Sequence, residues 1–132
     1  MIAISDKMPK PLSVMIVEDQ QDIAYLYELH LASLGIESIT FDDSLMALEH
    51  YKQNHGRYAL ILLDWTLPIM NGLELAKEIR KINCKVHILL ISGHPVKDTV
   101  LENEFREANI SEVLQKPVRL EDLGPRIIKW CI

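Results

Sequence analysis

Four polar stations could do chemistry together: Glu18-Asp19, Asp64, Ser92 and Lys116. Each closes a stretch read as a strand, apolar runs at residues 12–17, 59–63 and 86–91 and a shorter stretch at 112–115. Three carboxylates pressed together repel, and a divalent cation relieves that repulsion most cheaply. Oxygen-only ligands select a hard ion, and few protein carboxylates with several retained waters suit Mg²⁺ better than Ca²⁺. Beside such an ion Asp64 can attack phosphorus and form an aspartyl phosphate, because its approach to an anionic donor is screened. Lys116 then pairs with one phosphoryl oxygen and Ser92 hydrogen-bonds another, while Gly93 leaves the donor's path open. Taken singly, each station has a plainer reading. Glu18-Asp19 suits a helix start, Asp64 a strand-capping side chain, Ser92 a loop hydroxyl and Lys116 a solvated charge. Their coincidence at four strand ends favours the shared site.

The elements that must bring them together are legible in the hydrophobic pattern. Residues 59–63 are continuously apolar, as in a central strand buried on both faces of a parallel sheet. Leu67-Pro68 and Asn71-Gly72 then turn the chain before a helix carrying Leu75, Ile79 and Ile82 inward. Earlier, Asp22 is expected to cap a helix with Ile23, Leu26, Tyr27, Leu31 and Leu34 on its apolar face, closed by Gly35. Residues 37–41 alternate as a half-exposed edge strand should. Leu45, Leu48 and Tyr51 form the next helical stripe, ending by Gly56. Val100, Leu101, Phe105 and Ala108 mark a fourth helix. In the last, Gly124-Pro125 predicts a break or a late start at Pro125. Strand and helix alternate five times, which implies a parallel sheet with right-handed crossovers and helices on both faces. Every carboxyl strand end then lies on one rim, where open α/β sheets bind their ligands.

The 132 residues suit one domain, with residues 1–11 a polar lead-in and residues 12–132 the folded unit. The chain is 48% hydrophobic and 25% charged, an ordinary globular balance. Residues 1–10 lack the apolar core of a signal peptide, so a cytoplasmic chain with no membrane partner is expected. Cys84 and Cys131 show no metal or redox spacing and are expected to be reduced, partly buried thiols. A net charge of −5 without a basic cluster argues against direct nucleic-acid binding.

These stations, in this order, resemble the receiver domain of two-component response regulators, over nearly the whole chain. The acidic pair after strand 1 is Glu18-Asp19, and the phosphorylated aspartate after strand 3 is Asp64 within LILLDWTLPIMNG. The hydroxyl after strand 4 is Ser92, and the Lys-Pro pair after strand 5 is Lys116-Pro117. The resemblance implies a flavodoxin-like α/β fold with strand order 2-1-3-4-5, five helices and a Lys116–Pro117 bond that is commonly cis. It implies Mg²⁺ held by Asp19, Asp64 and the Thr66 backbone carbonyl, with Glu18 acting through water. It implies a signalling switch with no activity on outside substrates, phosphorylated by a histidine kinase or histidine phosphotransfer protein. Its output would be a downstream protein target or a phosphorylation-dependent homodimer.

Departures from the family pattern matter too. The switch residue that partners Ser92 is usually a Tyr or Phe; here it is Val113, too small to swing between buried and exposed. A break at Pro125 would alter the face many receivers use for dimerisation. His94 lies where relatives tune dephosphorylation, although an exposed histidine with no role fits equally. Two other readings stand beside the switch. An aspartate-nucleophile phosphatase wants a second Asp two residues on, where Thr66 stands, and a phosphorylation-independent docking module is kept open by Val113.

Overall fold

The computed structural model describes residues 13–93 and 99–131. The start of the first strand at Leu12, the 1–11 lead-in and His94 lie outside them. Ten elements follow in order: β1 (Ser13–Val17), α1 (Gln21–Ser33), β2 (Glu37–Phe41), α2 (Ser44–Asn54) and β3 (Leu60–Asp64). Then come α3 (Gly72–Ile82), β4 (His87–Ser92), α4 (Thr99–Glu107), β5 (Glu112–Gln115) and α5 (Leu120–Cys131). The strands form one parallel sheet in the order β2-β1-β3-β4-β5, with five helices around it.

Period-two alternation assigns the strand residues to two cores. Met15, Val17, Ile61, Leu63, Ile88 and Leu90 meet Ala47 and Tyr51 of α2 and Leu75 and Ile79 of α3 on one face. Val14, Ile16, Leu60, Leu62, Leu89 and Ile91 meet Tyr27 and Leu31 of α1 and Leu123 and Ile127 of α5 on the other. Every residue of β3 is buried, as its unbroken apolar run requires. The edge strand β2 is only half covered.

Several boundaries differ from the sequence reading. Asp22 is not the cap of α1: Gln20 holds that position without a side-chain hydrogen bond, and Asp22 lies in the first turn, where the helix dipole favours it. The helix begins two residues earlier than an Asp22 cap would require, so the cap position falls on Gln20, directly after Asp19. The buried stripe of α1 is Ala24, Tyr27 and Leu31, whereas Leu26 and Leu34 are half exposed. A small alanine occupies the inward position, so the larger leucines beside it drew the stripe one position away. Leu45 of α2 is exposed for the same reason, with Ala47 inward. Among the thiols Cys131 is partly buried, but Cys84 is exposed. The side chains of Val100 and Leu101 lie outside the described residues, while Phe105 and Ala108 do face the core.

The expected break at Pro125 does not occur. Helix α5 runs from Leu120 through Pro125 to Cys131. An interior proline costs roughly 3 kcal/mol through its missing N–H and the crowded carbonyl four residues back. Burial of Leu123 and Ile127 on either side outweighs that cost, and Gly124 lets α5 lie against α1. A Cβ at Gly124 would stand 2.7 Å from Leu34 Cδ1.

Candidate functional site

Strand register sets the rim. Asp64 pairs with Ile91 at the end of β3, Ser92 pairs with Gln115 at the end of β4, and Lys116 follows β5 directly. The chain is pinned as it leaves each strand: Glu18 N–H donates to Phe41 O (3.0 Å), Trp65 N–H to Ile91 O (2.8 Å) and Lys116 N–H to Ser92 O (2.7 Å). The Lys116–Pro117 peptide is cis. Side chains that leave these anchored ends converge above the sheet.

Carboxylate oxygens of Glu18, Asp19 and Asp64 lie within 4.8 Å of one another. Asp64 is held from both sides, its Oδ2 accepting from Lys116 Nζ at 2.9 Å and its Oδ1 from the Thr66 N–H at 3.2 Å. Ser92 is buried beside them. Asp19 is exposed, so the cluster is enclosed below and open to solvent above. Thr66 is exposed at the mouth and touches the site through its backbone.

The electrostatics follow from this enclosure. Burial, then a hydrogen bond to Asp64 and that group's charge, push the Glu18 carboxyl up to about 8. Burial pulls the Lys116 ammonium down, but the hydrogen bond and charge of Asp64 outweigh it and the ammonium is held above its ordinary value. Tyr27, beneath the cluster, is pushed up to about 12 by burial and by the charges of Glu18 and Asp64. Glu18 Oε1 is buried with no hydrogen-bond partner, an expensive condition for a carboxylate oxygen. Three converging carboxylates, one of them with an orphaned buried oxygen, on a rim open to water form a donor set that fits a hard divalent cation.

Glu18 gives this site a pH signature. Its carboxyl ionises near 4.5 in an open chain and near 8 in the fold. Below 4.5 both states hold the proton. As the pH rises from there the fold retains a proton that the unfolded chain releases, so this contribution to stability is lost progressively up to about 8. Glu18→Gln, which cannot ionise, is therefore expected to gain in Tm relative to the parent between about pH 5 and about pH 8 with a chelator present. Parallel melting curves would show that Glu18 is already ionised in the fold.

The structure thus brings Glu18, Asp19, Asp64, Ser92 and Lys116 to one place. Val113 is not at the rim: it sits opposite Leu90, half buried and packed on the core formed with α2 and α3. The ring of Phe105 of α4, partly buried, meets the indole of Trp65 edge-on at 5.5 Å. Nothing in the helical pattern of α4 distinguished Phe105 from an ordinary core residue. An apolar groove beside the cluster was missed as well. It lies between α1 and the start of α5, lined by Ile23, Leu26, Tyr27, Pro117, Val118 and Leu120, and has a volume of about 470 Å³. Its sequence signal was the excess of leucines on α1, read as core.

Residues 14–128 match the response regulator receiver domain family. Among curated proteins, the aerobic respiration control sensor protein ArcB of Escherichia coli is 31% identical over 95% of the chain. The autoinducer 1 sensor kinase/phosphatase LuxN of Vibrio harveyi is 27% identical over 98%. The chain spans only 16% and 14% of those proteins. It spans 78% of the two-component response regulator 24 of Arabidopsis thaliana, at 27% identity over 85% of the chain. Solved structures agree on the fold. The chemotaxis protein CheY4 of Vibrio cholerae superposes with a TM-score of 0.81 over 92% of this chain and 99% of its own, at 23% identity. The receiver domain of a Pseudomonas aeruginosa sensor histidine kinase, solved with magnesium coordinated in its active-site cleft, gives 0.79 over 92% and 98%, at 25% identity. Among the described residues no helix is long and apolar enough to cross a membrane.

Proposed function

Because the chain belongs to the response regulator receiver domain family of two-component systems, we propose that Asp64 is its phosphoacceptor, taking a phosphoryl group from a phosphohistidine and switching the domain between two states. The observation that carries this reading is the convergence of three carboxylates within 4.8 Å, with an ammonium 2.9 Å from Asp64 Oδ2. Asp19, Asp64, Glu18 and the Thr66 carbonyl are the groups that would hold Mg²⁺. A bound divalent ion would supply the positive charge that lets an anionic donor approach a buried carboxylate.

The chain's own groups do the rest. An Asp64 carboxylate oxygen attacks phosphorus in line, forming an O–P bond as the P–N bond to the donor imidazole breaks and the nitrogen leaves with the electron pair. Lys116 transfers its hydrogen bond from Asp64 Oδ2 to an equatorial phosphoryl oxygen. Ser92 donates to another. Burial of Asp64 and Ser92 keeps bulk water from competing for these donors and strengthens each contact. Hydrolysis then forms a new O–P bond from water as the Asp64 O–P bond breaks, returning phosphate and the free aspartate, so the chemistry begins and ends on this chain's own carboxylate.

A histidine kinase or phosphotransfer protein is the natural donor, since the matched segments of LuxN and ArcB lie in proteins named as sensors. The groove between α1 and α5, with half-exposed Leu26 at its edge, gives such a protein an apolar footing beside Lys116. A downstream protein, or a second phosphorylated copy, would read the result.

Intact mass after incubation with Mg²⁺ and acetyl phosphate tests the reading. The parent chain is expected to gain one phosphoryl group, the gain to vanish with a chelator, and Asp64→Asn to show none while remaining folded. A parent chain that folds and gains no mass would leave only a phosphorylation-independent docking module.

A further inference from the structure

Ser44 is among the few polar residues buried in this fold, at 2% exposed. It opens α2, yet its hydroxyl leaves that helix and donates to the Met70 carbonyl at 2.6 Å. Capping α2 is already done by Asp43, which accepts from the Leu45 and Met46 N–H groups. The Ser44 bond therefore serves the segment it reaches, residues 65–71 between β3 and α3. At its far end that segment supplies the Thr66 N–H to Asp64 Oδ1.

This segment does not hold its shape at no cost. Ile69 has φ +70°, a left-handed conformation that a β-branched side chain rarely adopts, and it is 84% exposed, so little packing compensates. Internal hydrogen bonds close the turn, Met70 N–H to Pro68 O at 2.8 Å and Gly72 N–H to Trp65 O at 2.9 Å. The stretch runs into α3 through the Asn71–Glu74 capping box, and among the hydrogen bonds described only the Ser44 bond ties it to a helix other than α3. We propose that Ser44 is a positioning residue for the phosphoacceptor: its hydroxyl latches the Met70 carbonyl, holds residues 65–71 against the strain at Ile69, and so fixes the Thr66 backbone that orients Asp64.

The inference rests on the phosphoacceptor reading for its function but not for its geometry, and the test separates the two. Ser44→Ala, Ile69→Gly and the double variant are compared with the parent. Hydrogen exchange at the Thr66 amide reads the latch in metal-free protein. Quenching of the adjacent Trp65 indole by Mg²⁺, and phosphoryl uptake from acetyl phosphate, read its consequence. Ser44→Ala is expected to speed exchange at Thr66 and to weaken Mg²⁺ binding about three- to tenfold, the range for losing one buried hydrogen bond. In the double variant Ile69→Gly removes the strain the latch opposes, so protection and affinity should return toward the parent even if Ser44→Ala has lowered Tm. A merely structural role would lower Tm without that recovery and would overturn the proposal. So would unchanged exchange and affinity in a folded Ser44→Ala protein. If the parent takes up no phosphoryl group, the phosphoacceptor reading fails while the Thr66 exchange still decides the latch.

Discussion

Lys116→Met is expected to slow phosphoryl uptake at Asp64 by about a hundredfold or more, while Mg²⁺ binding stays as tight as in the parent or tightens. The two effects have opposite directions because Lys116 and the proposed metal ion would serve the same carboxylate. In the resting fold the ammonium stands 2.9 Å from Asp64 Oδ2 and offsets the charge of the carboxylate cluster. Its removal leaves three carboxylates with less positive charge between them, so a divalent ion is wanted more. During transfer, negative charge collects on the equatorial phosphoryl oxygens, and a fixed cation at a partly enclosed rim stabilises that charge; losing one such donor costs about 10² to 10³ in rate. Methionine keeps most of the length of the stem, so the packing around Pro117 is preserved. Uptake followed by intact mass, beside a Mg²⁺ titration of Trp65 fluorescence, reads both effects. An uptake rate close to that of the parent would place the stabilising charge elsewhere.

The stations on the rim were legible because their chemistry and their topology coincide. A polar residue ending an apolar run is a visible interruption, and alternation of strand and helix sends all such interruptions to one edge. Asp64 and Lys116 are fifty-two positions apart, yet a parallel sheet leaves them nowhere else to meet. Helix faces were less legible. Ala24 and Ala47 are buried while the neighbouring Leu26 and Leu45 are not, but small residues carry little weight in an apolar stripe, which misplaced both leucines. Pro125 was misread because local propensity was allowed to stand against burial of Leu123 and Ile127, two contacts the sequence does not display. Ser44 was invisible for a different reason. Its partner is a backbone carbonyl twenty-six residues away, and carbonyls have no sequence signature. Phe105 belongs to the same class: its meeting with Trp65 depends on how α4 leans on α3, which no pattern along either segment encodes.

Gly72→Ala is expected to destabilise the fold by about 3 kcal/mol or more and to lower Tm by on the order of 10 °C. Gly72 begins α3, where an alanine would ordinarily be favoured over glycine by up to about 1 kcal/mol. Here the start of α3 lies directly on the end of β3. A Cβ would collide with the Asp64 carbonyl oxygen and stand 2.9 Å from both Trp65 Cα and Leu90 Cδ1. Leu90 can rotate, but the other two atoms are backbone and cannot yield without moving Asp64 itself. The Gly72 N–H also closes the turn by donating to Trp65 O, so any retreat of α3 breaks that bond. The surrounding cap offers no slack, since Asn71 and Glu74 are joined reciprocally in a capping box. Thermal melts of Gly72→Ala beside Gly56→Ala, where a Cβ meets nothing within 4 Å, separate the steric cost from the general effect of replacing glycine. Gly56→Ala should melt near the parent. If Gly72→Ala did too, the close approach of α3 to Asp64 would not be what holds that carboxylate in place.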